Sequence, residues 1–562
     1  MTCADAARAL AVLALCAGCA ASDAPGGPRP AAMLPAAGLA TAETAVEIVG
    51  EGFLARGVQD ADGDSSVDAG YRAWLGGTEL REVSWIDGHR LRAVVPAGLP
   101  IGWHDLAVQG PFGMGTLANA FLVRAQVEVV AEDPFADGSP FAFVTGYRGQ
   151  VYAGPNRYGT GIVRLAPDGS ALESLSLSFS RDAAGNSSSN SRFPYASIGF
   201  TGCSTNSLVN ACGPDNEDGR GFLTSASFAG DEWLVLGGAR SGGDLEYVYL
   251  SRSASAPLDF SYVDLSAALG ANTRGFSAAI AAGERLYLGF PDNGGERPYG
   301  LALLAPPPTP GGLDALNTHV VNFNLHDAYN TAYGKFASIS MVDAIAELGG
   351  RLYFFNDIGC LAARSLTPAT RDDFTACSPA EGPAYALVDS IEPTRQYDLE
   401  PRDRAWPAAV AWRGRLYAIR NTYAGPQLWR CDPAAGTDPA ACDRADWSLV
   451  AGDAGQLTRF GRASLLIATA TELWIGFDGA VGGIALFRTS VDAPAVASDF
   501  RGKDGCAAGA PGCEGVGGDG FGAPATFSRI FDAEAIDWGG GTDLFLAAGN
   551  GAGPVRIVRV AP

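Results

Sequence analysis

From about residue 140 onward, one short arrangement of apolar and polar positions returns seven times. Its middle segment is a compact apolar run: Val151 in "QVYAG", Leu234 in "WLVLGG", Leu286 in "RLYLGF", Leu352 in "RLYFF", Leu416 in "RLYAI", Leu473 in "ELWIGF" and Leu544 in "DLFLAA". Each run follows another apolar stretch and a Gly or acidic turn, as in "FSAAIAAGE" and "LLIATATE". A polar loop and a third apolar segment come next, for example "IVRL" from Ile162 and "YVYL" from Tyr247. Four copies then add Asp-Phe or Asp-Trp, at Asp259, Asp373, Asp446 and Asp499. Strand, turn, strand, loop, strand, strand at a spacing of 52 to 83 residues predicts four-stranded sheets stacked around an axis. A single sheet of this kind cannot bury both of its faces, whereas neighbours in a ring cover each other. The seven copies therefore predict a seven-bladed β-propeller over residues 125–562.

The last copy ends at Pro562 after only three strands, while "QVEVV" (126–130) precedes the first copy without a partner in it. Residues 126–130 are expected to supply the missing strand of the seventh blade beside residues 556–560, because an open apolar edge invites unwanted pairing.

A second pattern precedes the repeats. "VEIVGEGF" alternates from Val46, "YRAWLGGTEL" reads as a hairpin around Gly76-Gly77, and "LRAVVP", "HDLAVQG" and "NAFLV" are further short strands. They predict a β-sandwich over residues 45–124. "IVGEGF", "WLGG", "LRAVVPAGLPIGWHDLAVQGPFG" and "NAFLV", in that order, resemble an IPT/TIG domain. The resemblance implies an immunoglobulin-like sandwich that serves as a spacer or binding module. The whole chain is thus expected to be all-β, an immunoglobulin-like β-sandwich followed by the propeller.

Within the sandwich lies "DADGDSSVD". Asp60, Asp62, Asp64 and Asp68, with the Ser66 carbonyl, can converge on one hard cation that takes oxygen ligands, and Ca²⁺ is the expected ion. The loop is similar to the calcium loops of FG-GAP repeats, departing from them at Ser65. A solvated acidic loop between two strands is the other reading of the same residues.

The amino terminus reads as an address. Arg8 precedes the apolar run "ALAVLALCAG", too short to span a bilayer as a helix and suited to a secretory leader. "LCAGC" resembles a bacterial lipobox, with Cys16 where the family usually has Leu. The resemblance implies cleavage before Cys19, lipidation of Cys19, and, with Ala20 rather than Asp following, an outer-membrane lipoprotein on its periplasmic or cell-surface face. An ordinary signal peptide cut near Ala20 is the alternative. Residues 1–19 would then be leader, and the Ala/Pro/Gly-rich residues 20–44 a disordered tether.

Cysteine usage fits export. Beyond Cys3, Cys16 and Cys19, eight of the 11 cysteines form close sequential couples: Cys203/Cys212, Cys360/Cys377, Cys431/Cys442 and Cys506/Cys513. Loop-closing disulfides between neighbours in an oxidising compartment are the economical expectation. The spacings do not suit zinc, and there are only four histidines. A net charge of −22 without a basic run argues against nucleic acid as a partner and against unaided binding to anionic lipid.

Catalytic signatures are sparse: no G-x-S-x-G, H-E-x-x-H, P-loop or sialidase-type Asp box occurs. One pattern suggests binding. A basic residue near an aromatic stands just before the first strand of six copies, at Arg220, Arg274, Lys335, Arg404, Arg459 and Arg529. Propellers conventionally run their innermost strand first, so these residues would ring one channel mouth and attract an acidic ligand. Alternatively, each pairs with an aspartate of the neighbouring blade as a latch. The expected function is a non-enzymatic cell-envelope platform that binds an envelope protein or an acidic polysaccharide. The competing expectation is a secreted polysaccharide-active hydrolase or lyase with its site at the propeller mouth.

Overall fold

The computed structural model describes residues 26–59, 62, 65–125, 127–132, 142–155, 162–165, 172–175, 177–182, 222–228, 231–237, 247–253, 258–264, 278–283, 285–290, 300–304, 344–355, 360–366, 373–377, 406–422, 425–433, 442–443, 446–451, 462–470, 472–478, 483–487, 499–501, 529–537, 542–549 and 555–560. The chain divides into two compact units between Gln126 and Val127.

The first unit is a two-sheet β-sandwich. One sheet runs Arg29–Leu34, Thr44–Glu51, Arg90–Val95, Arg81–Asp87, and the other Ala37–Leu39, Gly113–Arg124, Gly102–Gly110, Arg72–Leu75, Thr78–Glu79. Alternation along the strands sends Val46, Ile48, Leu91 and Ala93 from one sheet, and Ala73, Leu75, Leu106 and Val108 from the other, into one core. The expected tether over residues 20–44 is corrected here, because Arg29–Leu34 and Ala37–Leu39 are strands of the two sheets. Ala and Pro made this stretch read as linker. Arg29–Leu34 is an edge strand, where a proline's missing N–H is tolerated, and Met33 anchors it in the core.

The second unit contains seven sheets, numbered here as blades in chain order. Blade 1 runs Ala142–Tyr147, Gln150–Pro155, Ile162–Leu165, Leu172–Leu175. Blade 2 runs Phe222–Phe228, Asp231–Gly237, Tyr247–Ser251, Leu258–Asp264, with Leu177–Asp182 added parallel at its outer edge. In blade 3 three strands are described: Ala278–Ala282, Arg285–Phe290, Gly300–Leu304. Blade 4 runs Ala344–Leu348, Arg351–Phe355, Cys360–Ala363, Phe374–Ala376, and blade 5 Ala408–Trp412, Arg415–Thr422, Gly425–Cys431, Trp447–Ala451. Blade 6 runs Arg462–Ala468, Leu473–Asp478, Gly483–Phe487, Asp499–Arg501. Blade 7 comprises Arg529–Asp537, Thr542–Gly549, Val555–Val560 and, from the other end of the unit, Val127–Glu132.

Each first strand packs beside the first strand of the next blade, and that of blade 7 returns to that of blade 1. The unit is a closed seven-bladed propeller with first strands innermost. Val127–Glu132 pairs antiparallel with Val555–Val560, and Glu128 forms an ion pair with the nearly buried Arg559 across that closure.

The repeated dipeptide explains how blades adhere. The marker residues Val151, Leu234, Leu286, Leu352, Leu416, Leu473 and Leu544 are all fully buried. Where the packing is described, the marker faces the preceding blade and the residue after it faces the following one. Tyr353 of blade 4 meets Leu416 of blade 5, Tyr417 meets Leu473, and Trp474 meets Leu544. Strand alternation thus turns one dipeptide into both halves of an inter-blade contact. The turns before these strands use Gly149, Gly283, Gly350 and Gly414 at positive φ, a conformation that glycine adopts without steric cost.

Two disulfides join Cys360 to Cys377 and Cys431 to Cys442, each pinning the third strand of its blade to the segment at the fourth. Cys203, Cys212, Cys506 and Cys513 lie outside the described residues.

Candidate functional site

Among the described residues, two seams between blades carry buried charge, and they treat it in opposite ways. The first lies between blades 4 and 5. Trp406 enters this seam just ahead of the inner strand of blade 5, and its ring lies 6.0 Å from that of Phe355 of blade 4. On the second strand of blade 5, Ile419 pairs with Ala408, so the next residue, Arg420, stands level with the start of the inner strand. Arg420 is only 4% exposed, and its guanidinium carbon sits 5.5 Å from the centre of the Trp406 ring. Among the described residues, no hydrogen bond or ion pair reaches the guanidinium, and its Nε is without a partner. Burial pulls its pKa below the ordinary arginine value, the direction expected of a cation removed from water without a counter-charge.

Asn421, the next residue, points the other way. It donates from Nδ2 to the carbonyl oxygen of Ala463 at 2.9 Å and accepts the Ala463 N–H at 3.0 Å. Asn421 therefore completes the backbone at the start of the blade 6 inner strand. The two neighbours share one end of the ring; among the described residues, one finds protein partners and the other does not.

The second seam closes the ring between blades 7 and 1. Asp532 and Glu534 alternate with Ala533 and Ala535 on the innermost strand of blade 7 and face blade 1. The Val144 N–H donates to Asp532 Oδ2 at 2.9 Å. Burial is the main force pushing the Glu534 pKa up to about 7, and the Asp532 charge adds to it. The Gly146 N–H donates to the Glu534 carboxyl, and the Thr145 hydroxyl approaches closely enough to favour its charged form without meeting full hydrogen-bond geometry. Gly146 is required here, since a Cβ at that position would stand 2.9 Å from Ile536 Cγ2.

Hydrogen bonds from neutral side chains cross three other seams. The Tyr147 hydroxyl donates to Ser251 O at 3.3 Å, the Tyr287 hydroxyl to Leu366 O at 2.6 Å, and Trp412 Nε1 to Thr469 O at 2.6 Å. Within the 4/5 seam itself, the Tyr353 hydroxyl accepts the Cys442 N–H at 3.1 Å. Asp446, an aspartate of the recurring Asp-Phe/Asp-Trp pair, accepts the Asp443 N–H at 2.8 Å within its own blade.

Of the basic positions expected at the mouth, Arg220, Arg274, Lys335, Arg404 and Arg459 lie outside the described residues. Arg529 opens the innermost strand of blade 7. Cys19, Asp60 and Asp64 are also outside them. Asp62 and Ser66 are exposed, Ser66 on the strand Ser65–Asp68. Asp68 pairs with Arg56 at 3.2 Å and accepts the Gly70 N–H at 3.0 Å, contacts with which a bound cation would compete. His89 and His104 meet backbone carbonyls of Gly50 and Pro100.

Arg420 was the residue that the recurring pattern could have disclosed. Four positions after the marker, the other copies carry Pro155, Gly238, Phe290, Asn356, Phe477 and Ala548, none of them charged.

No protein-family model matches this chain, and no curated protein does. Solved structures show only distant likeness. A protein of unknown function from Bacteroides thetaiotaomicron is 12% identical, with 96% of this chain and 98% of that one covered and a TM-score of 0.33. The PQQ-bound aldose sugar dehydrogenase of Streptomyces coelicolor is 15% identical over 63% of this chain and 92% of its own, with a TM-score of 0.30. A gluconolactonase from Xanthomonas campestris is 10% identical over 63% and 86%, with a TM-score of 0.31. At these values none of them bears on the chemistry of this chain.

Proposed function

We propose that the propeller is a non-catalytic binding platform for an acidic glycan. The observation that supports this most is the division of charge at the ring: the Asp532 and Glu534 carboxyls are engaged by the backbone of blade 1, while Arg420 is buried and meets no counter-charge among the described residues. A protein partner fits less well. The large apolar side chains that are exposed among the described residues, Leu34, Leu54, Val67, Trp85, Ile101, Trp103 and Met114, all belong to the sandwich, and protein interfaces need apolar anchors. In this reading Cys19 carries a lipid that holds the protein at the outer membrane, and the IPT/TIG-like sandwich is the stalk. Ca²⁺ at Asp60, Asp62, Asp64, Ser66 and Asp68 would stiffen that stalk. Arg220, Arg274, Lys335, Arg404, Arg459 and Arg529 would extend the positive field around the mouth. The test is a glycan array probed with the mature chain at low and high salt. Acidic glycans should be retained at low salt and released as salt screens the field; retention of none of them would overturn the reading.

A polysaccharide hydrolase or lyase is the second reading, and the Asp532–Glu534 pair favours it. A carboxyl titrating near 7 is protonated often enough at neutral pH to act as a general acid. Release of reducing ends or of unsaturated products from acidic polysaccharides, abolished by Glu534→Gln, would establish it in place of the first.

A further inference from the structure

We infer that the seam between blades 4 and 5 is a carboxylate-binding site, in which Arg420 receives the carboxylate of a sugar acid belonging to an acidic glycan. This rests on the glycan reading of the propeller and gives that reading a place and a ligand class.

A guanidinium taken out of water loses its hydration and regains that loss only through bonds to an acceptor. Arg420 has the desolvation without the acceptor, as its exposure and its lack of partners among the described residues show. Its stacking on Trp406 is a partial remedy, worth far less than a bidentate ion pair. The contact sets the guanidinium carbon over the indole, and the fork of N–H groups that a guanidinium carries matches a planar two-oxygen anion.

Charge narrows the choice further. A carboxylate brings one negative charge to one positive charge and leaves the seam neutral. A phosphate dianion would leave net negative charge in a low-dielectric gap on a chain already at −22. Location agrees with ligand access. Arg420 is level with the beginning of the inner strand of blade 5, and its neighbour Asn421 bonds the beginning of the inner strand of blade 6, so Arg420 stands near one end of the ring and not midway along the seam. Rigid supports surround it: Trp406 is also packed near Trp447, at 6.4 Å between rings, and the Cys431–Cys442 disulfide belongs to the same core.

The test is calorimetric titration of the mature chain with polygalacturonate, with galacturonate, with dextran sulfate and with a poly-glutamate peptide. Polygalacturonate and galacturonate should bind, the polymer more tightly, and the two sulfate and peptide probes should bind at least tenfold more weakly than the polymer. Arg420→Met, which keeps an apolar stem over Trp406, should weaken polygalacturonate at least tenfold. Arg420→Lys keeps the charge but not the fork and should also weaken it several-fold, so the site is tested even if the methionine variant fails to fold. A parent that binds polygalacturonate and two variants that bind it equally well would remove the site while leaving the glycan reading in place. A parent that binds no acidic glycan would remove both. Equal or tighter binding of dextran sulfate or of the peptide would overturn the choice of a sugar carboxylate.

Discussion

The seam between blades 7 and 1 and the seam between blades 4 and 5 are built on the same apolar plan and differ in what they do with charge. In both, a marker residue of one blade packs against the other blade: Val151 in the first and Leu416 in the second. At the closing seam, Asp532 accepts the Val144 N–H and Glu534 the Gly146 N–H, so negative charge there is turned inward and spent on holding the ring. At the other, Arg420 stacks on Trp406 and meets no acceptor among the described residues. The difference teaches how to separate structural from functional charge in a repeat protein. A charged group whose bonds run to the adjoining blade serves the fold, whereas one desolvated by the fold and left unanswered is kept at a cost that binding can offset.

The strongest way to show what the seams share is to break their common packing. Leu416→Ala removes a fully buried side chain from the 4/5 seam and should cost about 2–5 kcal/mol of stability, read by denaturant unfolding. A loss below about 1 kcal/mol would mean that the blades do not depend on the marker residue. The next perturbation separates the seams by pH. Glu534 has a folded pKa near 7, against about 4.3 for an unfolded glutamate, so the folded state holds more protons between those values. Stability should therefore fall as pH rises from about 4 through 7 and level off above. Glu534→Gln removes that slope and should be more stable than the parent at pH 8, by at most about 4 kcal/mol, with the two nearly alike at pH 4. Melting both proteins across that range checks the sign, and a parent that gains stability through this window from this residue would contradict it. Asp532→Ala leaves the Val144 N–H without its acceptor and should cost about 1–3 kcal/mol at neutral pH. The smallest effect belongs to the other seam. Arg420→Met gives up a cation–π contact but also removes a buried charge that meets no counter-charge among the described residues, and should stay within about 1 kcal/mol of the parent.

Much of this architecture could be read from residue order alone, because repeats restate their packing. The dipeptide at Leu352-Tyr353, Leu416-Tyr417 and Leu473-Trp474 marks a strand buried on both faces, and seven such strands mark seven blades. The unmatched apolar segment before the first copy likewise pointed to the closing strand, found at Val127–Glu132. Composition misled at Arg29–Leu34, where Pro and Ala suggested a linker, because an edge strand accepts residues that an inner strand excludes. The candidate site was less legible for a different reason. Basic residues before the first strands recur and so drew notice, whereas Arg420 departs from its six counterparts and is hidden among apolar letters. Whether an arginine in a strand is paired or orphaned depends on which blades flank it, and Trp406 and Phe355 reach that seam from separate parts of the chain. Glu534 shows the same dependence, since its shifted pKa comes from burial against blade 1, far away in sequence.

The most direct test of the central claim, that Arg420 serves a ligand and not the fold, is the melting temperature of the parent and of Arg420→Met with and without polygalacturonate. Without the polymer the two should melt together, and with it only the parent should rise, because a ligand stabilises a protein only through a site it can occupy. A variant that melts well below the parent in buffer alone, or that gains as much from the polymer as the parent does, would contradict it.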